Sequence, residues 1–330
     1  MAIVPRPGRR SGTATRGLNV EEGNPPTCNG DPRKPSVLPT AAASLALAAA
    51  ALASAAGPPP EAPIAFVTAD SSAGSADLAV RAAAGTRRLT RNRLHEGLPS
   101  WSPDRRRIVF VRAQRSSTDV FVMNADGTRA RALAGGTRRA SDELYPAFSP
   151  DGRLIAFSSY RDGSGHVYVM RADGTAVRRV TRTPAGVDTM QPVFTPDGRH
   201  LVVASTRGGR HHELWRIRLS DGGGARRLTS SPGGSTMPDV SPDGRRIAFV
   251  SYRERGAAAV YVANADGTGP REVVRHVGLQ VAYPRFSPDG RSLLYSTFVA
   301  GETVAGFRLR TIRLDGTGGG DLGAGAEADW

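Results

Sequence analysis

The chain of 330 residues contains one cysteine, Cys28, and one lysine, Lys34. A single thiol cannot close an intrachain disulfide, and it leaves no cysteine set for a metal. Aromatic residues make up 6% of the chain, and no nucleic-acid recognition motif is present, which excludes the usual nucleic-acid binders. The most apolar run, residues 41–56, is short of the roughly 20 residues a membrane-spanning helix needs. There is no G-x-S-x-G elbow, no H-E-x-x-H pair and no P-loop, so the common hydrolase, metalloprotease and nucleotide signatures are missing. Beyond residue 60 no stretch carries a convincing helical period.

What the sequence does contain is a repeat. Ser149-Pro150-Asp151-Gly152 returns as Thr195-Pro196-Asp197-Gly198, Ser241-Pro242-Asp243-Gly244 and Ser287-Pro288-Asp289-Gly290. An earlier copy, Ser102-Pro103-Asp104, has Arg105 in place of the glycine. The prolines step by 47, 46, 46 and 46 residues, a period long enough for one supersecondary unit. A Pro-x-aromatic segment precedes each turn, as in Pro146-Ala147-Phe148, with Val240 replacing the aromatic once. Proline presets the second turn position, and glycine accepts the positive φ that closes the turn. An apolar run follows, such as Leu154–Phe157, then an alternating run such as Val167–Met170 that ends at Asp-Gly. Asp-Gly between apolar runs is a strong hairpin signal.

Each unit therefore reads as four short antiparallel strands, a to d, the signature of a propeller blade. Strands b, c and d can be counted six times, the first set being Ile64–Thr68, Asp77–Val80 and Arg88-Leu89-Thr90. That set has no strand a in front of it. Glu327-Ala328-Asp329-Trp330 at the other end places Trp330 in the aromatic position held by Trp101, Phe148, Phe194 and Phe286. The expected fold is all-β: a six-bladed β-propeller of four-stranded antiparallel blades over residues 62–330, closed by the C-terminal strand. Closure hides the sheet edges. Trp101 and Trp330 are expected in the core.

The unit P-x-[WF]-S-P-D-G, then I-A-F-x-S-x-R, V-Y-V-x-x-A-D-G-T and R-R-L-T, clearest over Pro146–Thr181 and Pro238–Val274, resembles the repeat of TolB-type six-bladed propellers. The resemblance implies the fold and not a function. TolB carries an α/β domain before its propeller, for which residues 1–61 give no room, so the TolA-contacting role of that region is not carried over. Related propellers also serve as filtering domains of prolyl oligopeptidase-type enzymes, and no hydrolase domain follows here.

Residues 1–39 are rich in Pro, Gly and Arg and read as a disordered leader. Residues 40–56 read as the apolar region of a secretory signal peptide, with Arg33 and Lys34 ahead of it and small-x-small sites at Ala51–Ala53 and Ala53–Ala55. A low-complexity linker is the alternative. Cys28 precedes the apolar run and would leave with it. The net charge is +14, of which residues 57–330 keep +11. Such a charge favours acidic partners, although most of it reads as arginine spread over the surface.

The a–b and c–d turns pave one face of the disc, and their sequences are explained by backbone geometry. The b–c and d–a connections form the other, the loop face, with irregular segments 114–118, 161–165, 207–212 and 253–256 and residues near His95, Asp142, Asp188 and His276. Binding is expected there, since loops on a rigid scaffold carry function. Arg112, Arg161, Arg207 and Arg253 are assigned to one position at the end of strand b. They could hold an anionic ligand, or each could pair with an acidic residue such as Glu143 or Asp188. Repetition in one position favours pairing. His211 and His212, beside Glu213, are further candidates, but adjacent residues on a strand point to opposite sides, so no metal site is assigned. The expected protein is an exported, monomeric, non-catalytic binding module without a cofactor. Its partner would be a protein or an anionic envelope component, not nucleic acid. The alternative is a propeller enzyme, a lyase or hydrolase, acting on anionic polysaccharide.

Overall fold

A computed structural model describes residues 62–70, 75–134, 141–254, 257–301 and 304–330. The leader and the apolar run over 40–56 lie outside these residues. The described chain forms six four-stranded antiparallel sheets. Blade 1 holds β1 (Ile64–Asp70), β2 (Ser75–Ala82) and β3 (Gly85–Arg88). Blade 2 holds β4 (Glu96–Trp101), β5 (Arg107–Ala113), β6 (Thr118–Asn124) and β7 (Arg131–Ala134). Blade 3 holds β8 (Glu143–Phe148), β9 (Leu154–Ser159), β10 (His166–Arg171) and β11 (Arg178–Arg179). Blade 4 holds β12 (Thr189–Phe194), β13 (His200–Ser205), β14 (Glu213–Arg218) and β15 (Arg226–Arg227). Blade 5 holds β16 (Ser235–Val240), β17 (Arg246–Ser251), β18 (Ala259–Asn264) and β19 (Arg271–Val274). Blade 6 holds β20 (Gln280–Phe286), β21 (Ser292–Phe298), β22 (Arg308–Arg313) and β23 (Gly320–Ala324). Finally β24 (Ala326–Asp329) pairs antiparallel with β1 and completes blade 1. The first strands of successive blades touch one another around the ring, with β24 between β20 and β4.

The repeated turns explain why the strands start where they do. In blade 3 the Ser149 hydroxyl donates to Asp151 Oδ1 at 2.6 Å, and the Arg153 N–H donates to the same oxygen at 3.0 Å. The Leu154 N–H in turn donates to Ser149 Oγ, so the turn hands the chain directly to β9. These bonds hold the Asp151 carboxyl below the usual carboxylate range. Arg105, where the other copies have glycine, adopts φ 57° and lies over the Trp101 ring. The core sits mainly between blades. Phe110 and Phe121 of blade 2, for example, pack with Leu78 and Val80 of blade 1.

Strand d is shorter than the R-R-L-T segments promise. β15 is Arg226–Arg227 alone, and Thr229 turns inward, where its hydroxyl accepts the Leu214 N–H at 2.9 Å. Thr181 and Thr90 do the same for Val167 and Leu78. The outer edge is thereby kept short, which limits edge-to-edge pairing. Trp101 is buried, but Trp330 is only half-buried, its indole N–H donating to the Arg285 carbonyl at 3.3 Å. One 3₁₀ turn, Val304–Gly306, is the only helical element among the described residues.

Candidate binding site

Each first strand carries a bulge just before its last residues. At the bulge one residue per blade adopts positive φ: Leu98, Tyr145, Gln191, Met237, Tyr283 and Glu327, all between 50° and 56°. A bulge re-aims a side chain, and here it directs six side chains to the centre of the ring. They form a stopper. Glu327 Oε2 accepts the Leu98 N–H at 2.8 Å, Gln191 Oε1 accepts the Met237 N–H at 2.8 Å, and Met237 Sδ receives the Tyr283 N–H at 3.4 Å. At three junctions a stopper side chain thus satisfies a backbone donor of the next blade. A Cβ on Gly97 would lie 2.6 Å from Glu327 Oε2, so a side chain there would push the carboxylate out of this approach. Burial pushes the Glu327 carboxyl up, opposed by the Leu98 N–H and the Tyr283 hydroxyl. Burial likewise raises Tyr145 to about 12.

Towards the turn face the channel holds Arg285 between two carboxylates, 3.7 Å from Asp239 and 3.9 Å from Asp329. Asp239 accepts the Phe286 N–H at 2.7 Å, and Asp329 accepts the Trp101 N–H at 2.8 Å. Desolvation pushes Asp239 up to about 6 despite Arg285. The space left beside the stopper, lined by Tyr145, Gln191, Met237, Tyr283 and Arg285, is about 30 Å³, enough for a water and no ligand.

Towards the loop face, Tyr160 and Tyr252 follow β9 and β17 directly and flank Tyr145. Tyr145 and Tyr160 are half-buried and Tyr252 is exposed. The Asp188 carboxylate lies near Tyr160, where burial and this charge raise the phenol. His212 is half-buried near Asp188, its buried Nε2 without a hydrogen-bond partner among the described residues, and desolvation lowers its pKa.

The assigned arginines do not occupy one position. Arg112 pairs in register with Glu96, as Ser159 does with Glu143, whereas Arg161 lies two residues further along. The guanidinium groups nevertheless reach the same place, each over the aromatic ring of its own blade's third strand. The distances are 4.4 Å to Phe121 for Arg112, 4.6 Å to Tyr168 for Arg161, 5.8 Å to Trp215 for Arg207 and 4.3 Å to Tyr261 for Arg253. Arg112 binds Glu96 at 2.6 Å, and Arg161 Nη2 binds both Glu143 oxygens at 2.9 and 2.8 Å. Blades 4 and 5 have Thr189 and Ser235 where those glutamates stand. Arg207 and Arg253 therefore stack without a carboxylate partner among the described residues. Glu213 serves the fourth strand, accepting the Ser231 N–H at 2.6 Å. His211 and His212 lie in the loop ahead of β14, and no three His, Cys, Asp or Glu side chains group for a metal among the described residues. The stopper residues and the mouth tyrosines escaped sequence reasoning. Their signal was the position just before each Pro-x-aromatic segment, held by Leu98, Tyr145, Gln191, Met237 and Tyr283.

Six four-stranded blades closed by a C-terminal strand define a six-bladed β-propeller. Residues 48–189 and 183–317 match the family model described as the TolB beta propeller domain, and the chain belongs to this family. It is similar to the solved TolB of Acinetobacter baumannii, with a TM-score of 0.68 and 22% identity over 81% of this chain and 66% of that one. Residue by residue it is 37% identical over 83 residues to the uncharacterized peptidase YuxL of Bacillus subtilis (strain 168), covering 25% of this chain and 12% of that protein. It is 33% identical over 81 residues to the Tol-Pal system protein TolB of Alcanivorax borkumensis, covering 24% and 18%. These matches span less than a fifth of either relative. Among the described residues, no helix is long and apolar enough to cross a membrane.

Proposed function

We propose that the chain is an exported, monomeric, non-catalytic binding module that engages a protein or an anionic envelope component through its loop face. The observation that carries this reading is the stoppered channel. A ligand cannot pass through it and must be read at the mouth, where Tyr145, Tyr160 and Tyr252 sit together. Tyrosines supply rigid contact area with a polar tip, the composition of interface anchors. Arg207 and Arg253, stacked without carboxylates, add fixed guanidinium forks near this face for acidic groups.

The test is a pull-down from envelope extract with the processed protein and its Tyr160→Ala/Tyr252→Ala variant. The variant should keep its melting temperature and lose the captured partner. Capture of the same partner by both would overturn the mouth as the site. Replacing Arg207 and Arg253 by Gln should flatten the salt dependence of binding, since exposed charges are screened over about 8 Å at physiological ionic strength. Release of new sugar ends from an anionic polysaccharide by the pure protein would establish the enzymatic reading instead. Export rests on the basic, then apolar, then small-x-small order of the leader. The mature N-terminus should lie between Ser54 and Gly57, and a chain recovered with residues 1–56 intact would overturn it.

A further inference from the structure

On the turn face, four blade junctions are closed by the same contact. A Cβ placed on Gly127, Gly174, Gly222 or Gly267 would lie 2.8, 2.9, 2.2 or 1.9 Å from the carbonyl oxygen of Leu89, Leu133, Val180 or Leu228 in the preceding blade. Between blades 5 and 6 the equivalent distance, from Gly316 to the Val273 oxygen, is 3.9 Å. The Asp315–Gly316 turn stands off, and a cleft of about 720 Å³ opens between it and blade 5.

The cleft is lined by Arg246, Arg271, Arg291 and Arg313, with Asp289 and Asp315. At three closed junctions one arginine of the fourth strand, in the same register against the third, bridges to the next blade's turn: Arg87 to the Asp126 carbonyl, Arg131 to that of Asp173 and Arg178 to that of Ser220. Arg271 holds this position at the open junction and makes no such bond. Arg271, Arg291 and Arg313 are exposed, and none has a side-chain hydrogen bond or ion pair among the described residues. Arg246 is anchored, donating to the Gly290 carbonyl at 3.0 Å. The two carboxylates are engaged by their own turns, Asp289 with the Ser287 hydroxyl and Arg291 N–H, and Asp315 with the Thr317 N–H and hydroxyl. Gly85 is also open at the junction of blades 6 and 1, but Gly320 stands there in the arginine position.

We propose that this cleft binds a phosphate-bearing ligand with at least two negative charges. Guanidinium forks match tetrahedral oxyanions in bidentate geometry, and four cations against two turn-bound carboxylates leave an excess of two positive charges. The volume admits more than a lone phosphate ion, so the phosphate belongs to a larger group, a lipid headgroup or a soluble ester.

The probes are pyrophosphate in solution and phosphatidylglycerol vesicles, each applied to the full protein at constant ionic strength. Pyrophosphate should raise the melting temperature relative to matched sodium chloride. Arg271→Gln/Arg313→Gln should weaken its binding at least tenfold while leaving the ligand-free melting temperature unchanged. Arg171→Gln, the counterpart of Arg313 in blade 3 at a closed junction, should bind as the unaltered protein does. Vesicle binding lost in the double variant would assign the headgroup, and pyrophosphate binding without vesicle binding would assign a soluble ester. No pyrophosphate effect beyond sodium chloride, or equal losses in the Arg171 and Arg271/Arg313 variants, would overturn the cleft as a site.

Discussion

Arg161 and Arg207 occupy the same position in adjacent blades, and the difference between them is a single residue on the neighbouring strand. Glu143, fully buried, grips Arg161 with both oxygens. Arg207, whose blade has Thr189 in place of that glutamate, has only the Trp215 ring for its guanidinium among the described residues. Arg161→Ala should cost about 3 kcal/mol, because it leaves a buried carboxylate without its partner. Arg207→Ala should cost less than about 1 kcal/mol, the scale of an exposed cation–π contact. Urea unfolding of both variants measures the contrast. Asp239 offers a test with the opposite sign to an ordinary surface acid. Its folded pKa of about 6 lies above the unfolded value, so the folded state binds the extra proton. Its contribution is complete below the unfolded pKa and is lost as pH rises towards 6. Asp239→Asn should flatten the melting temperature between pH 4 and pH 6, and an unchanged slope would refute the assignment.

At the scale of the element, β24 does more than cover the edge of β1. Glu327 and Asp329 accept backbone donors of Leu98 and Trp101 in blade 2, so this strand ties blade 1 to its neighbour as well as to itself. Deleting Gly325–Trp330 removes the pairing, two charged acceptors and the apolar contacts of Ala326 and Ala328 together. It should lower the melting temperature far more than trimming a frayed end does, with calorimetry as the measurement. Trp330→Ala alone should cost about 2 kcal/mol, less than the roughly 3–5 kcal/mol of a fully buried tryptophan, because the indole is half-exposed. Every first strand carries a bulge, and it is this bulge that turns Tyr145, Gln191, Tyr283 and Glu327 into the channel.

For the molecule as a whole, the blades are coupled through the centre as well as through their apolar faces. The amides of Leu98, Met237 and Tyr283 are each held by the side chain of the preceding blade. These amides should exchange with deuterium only on global opening, while those of the fourth strands exchange by local fraying. Glu327→Ala should accelerate exchange at Leu98 first. The two faces also divide the chemistry: tyrosines at the loop-face mouth, and unpartnered arginines in the one arginine-lined open junction of the turn face.

The blade count, the strand order and the closing strand are legible in the sequence because each rests on local physics. Ser-Pro-Asp-Gly and Asp-Gly set turns within a few residues, alternation places one side of a strand inward, and a 46-residue step repeats the result. Trp330 follows Phe286 by 44 residues, close enough to that step for the match to Trp101 and Phe286 to be read from the chain. The site was not legible to the same degree. Arg112 stands nine residues after Pro103 and Arg161 eleven after Pro150, so the chain alone sets them two residues apart in the repeat, and only the fold brings both guanidinium groups over the third-strand ring of their own blades. The stopper depends on a bulge that leaves no composition signal, and its partners lie one blade away. The cleft at Gly316 depends on how far one blade stands from the next. Turn chemistry acts over four residues and survives in a list of letters. Contacts between blades are decided by the tilt and spacing of sheets that meet only after the ring has closed.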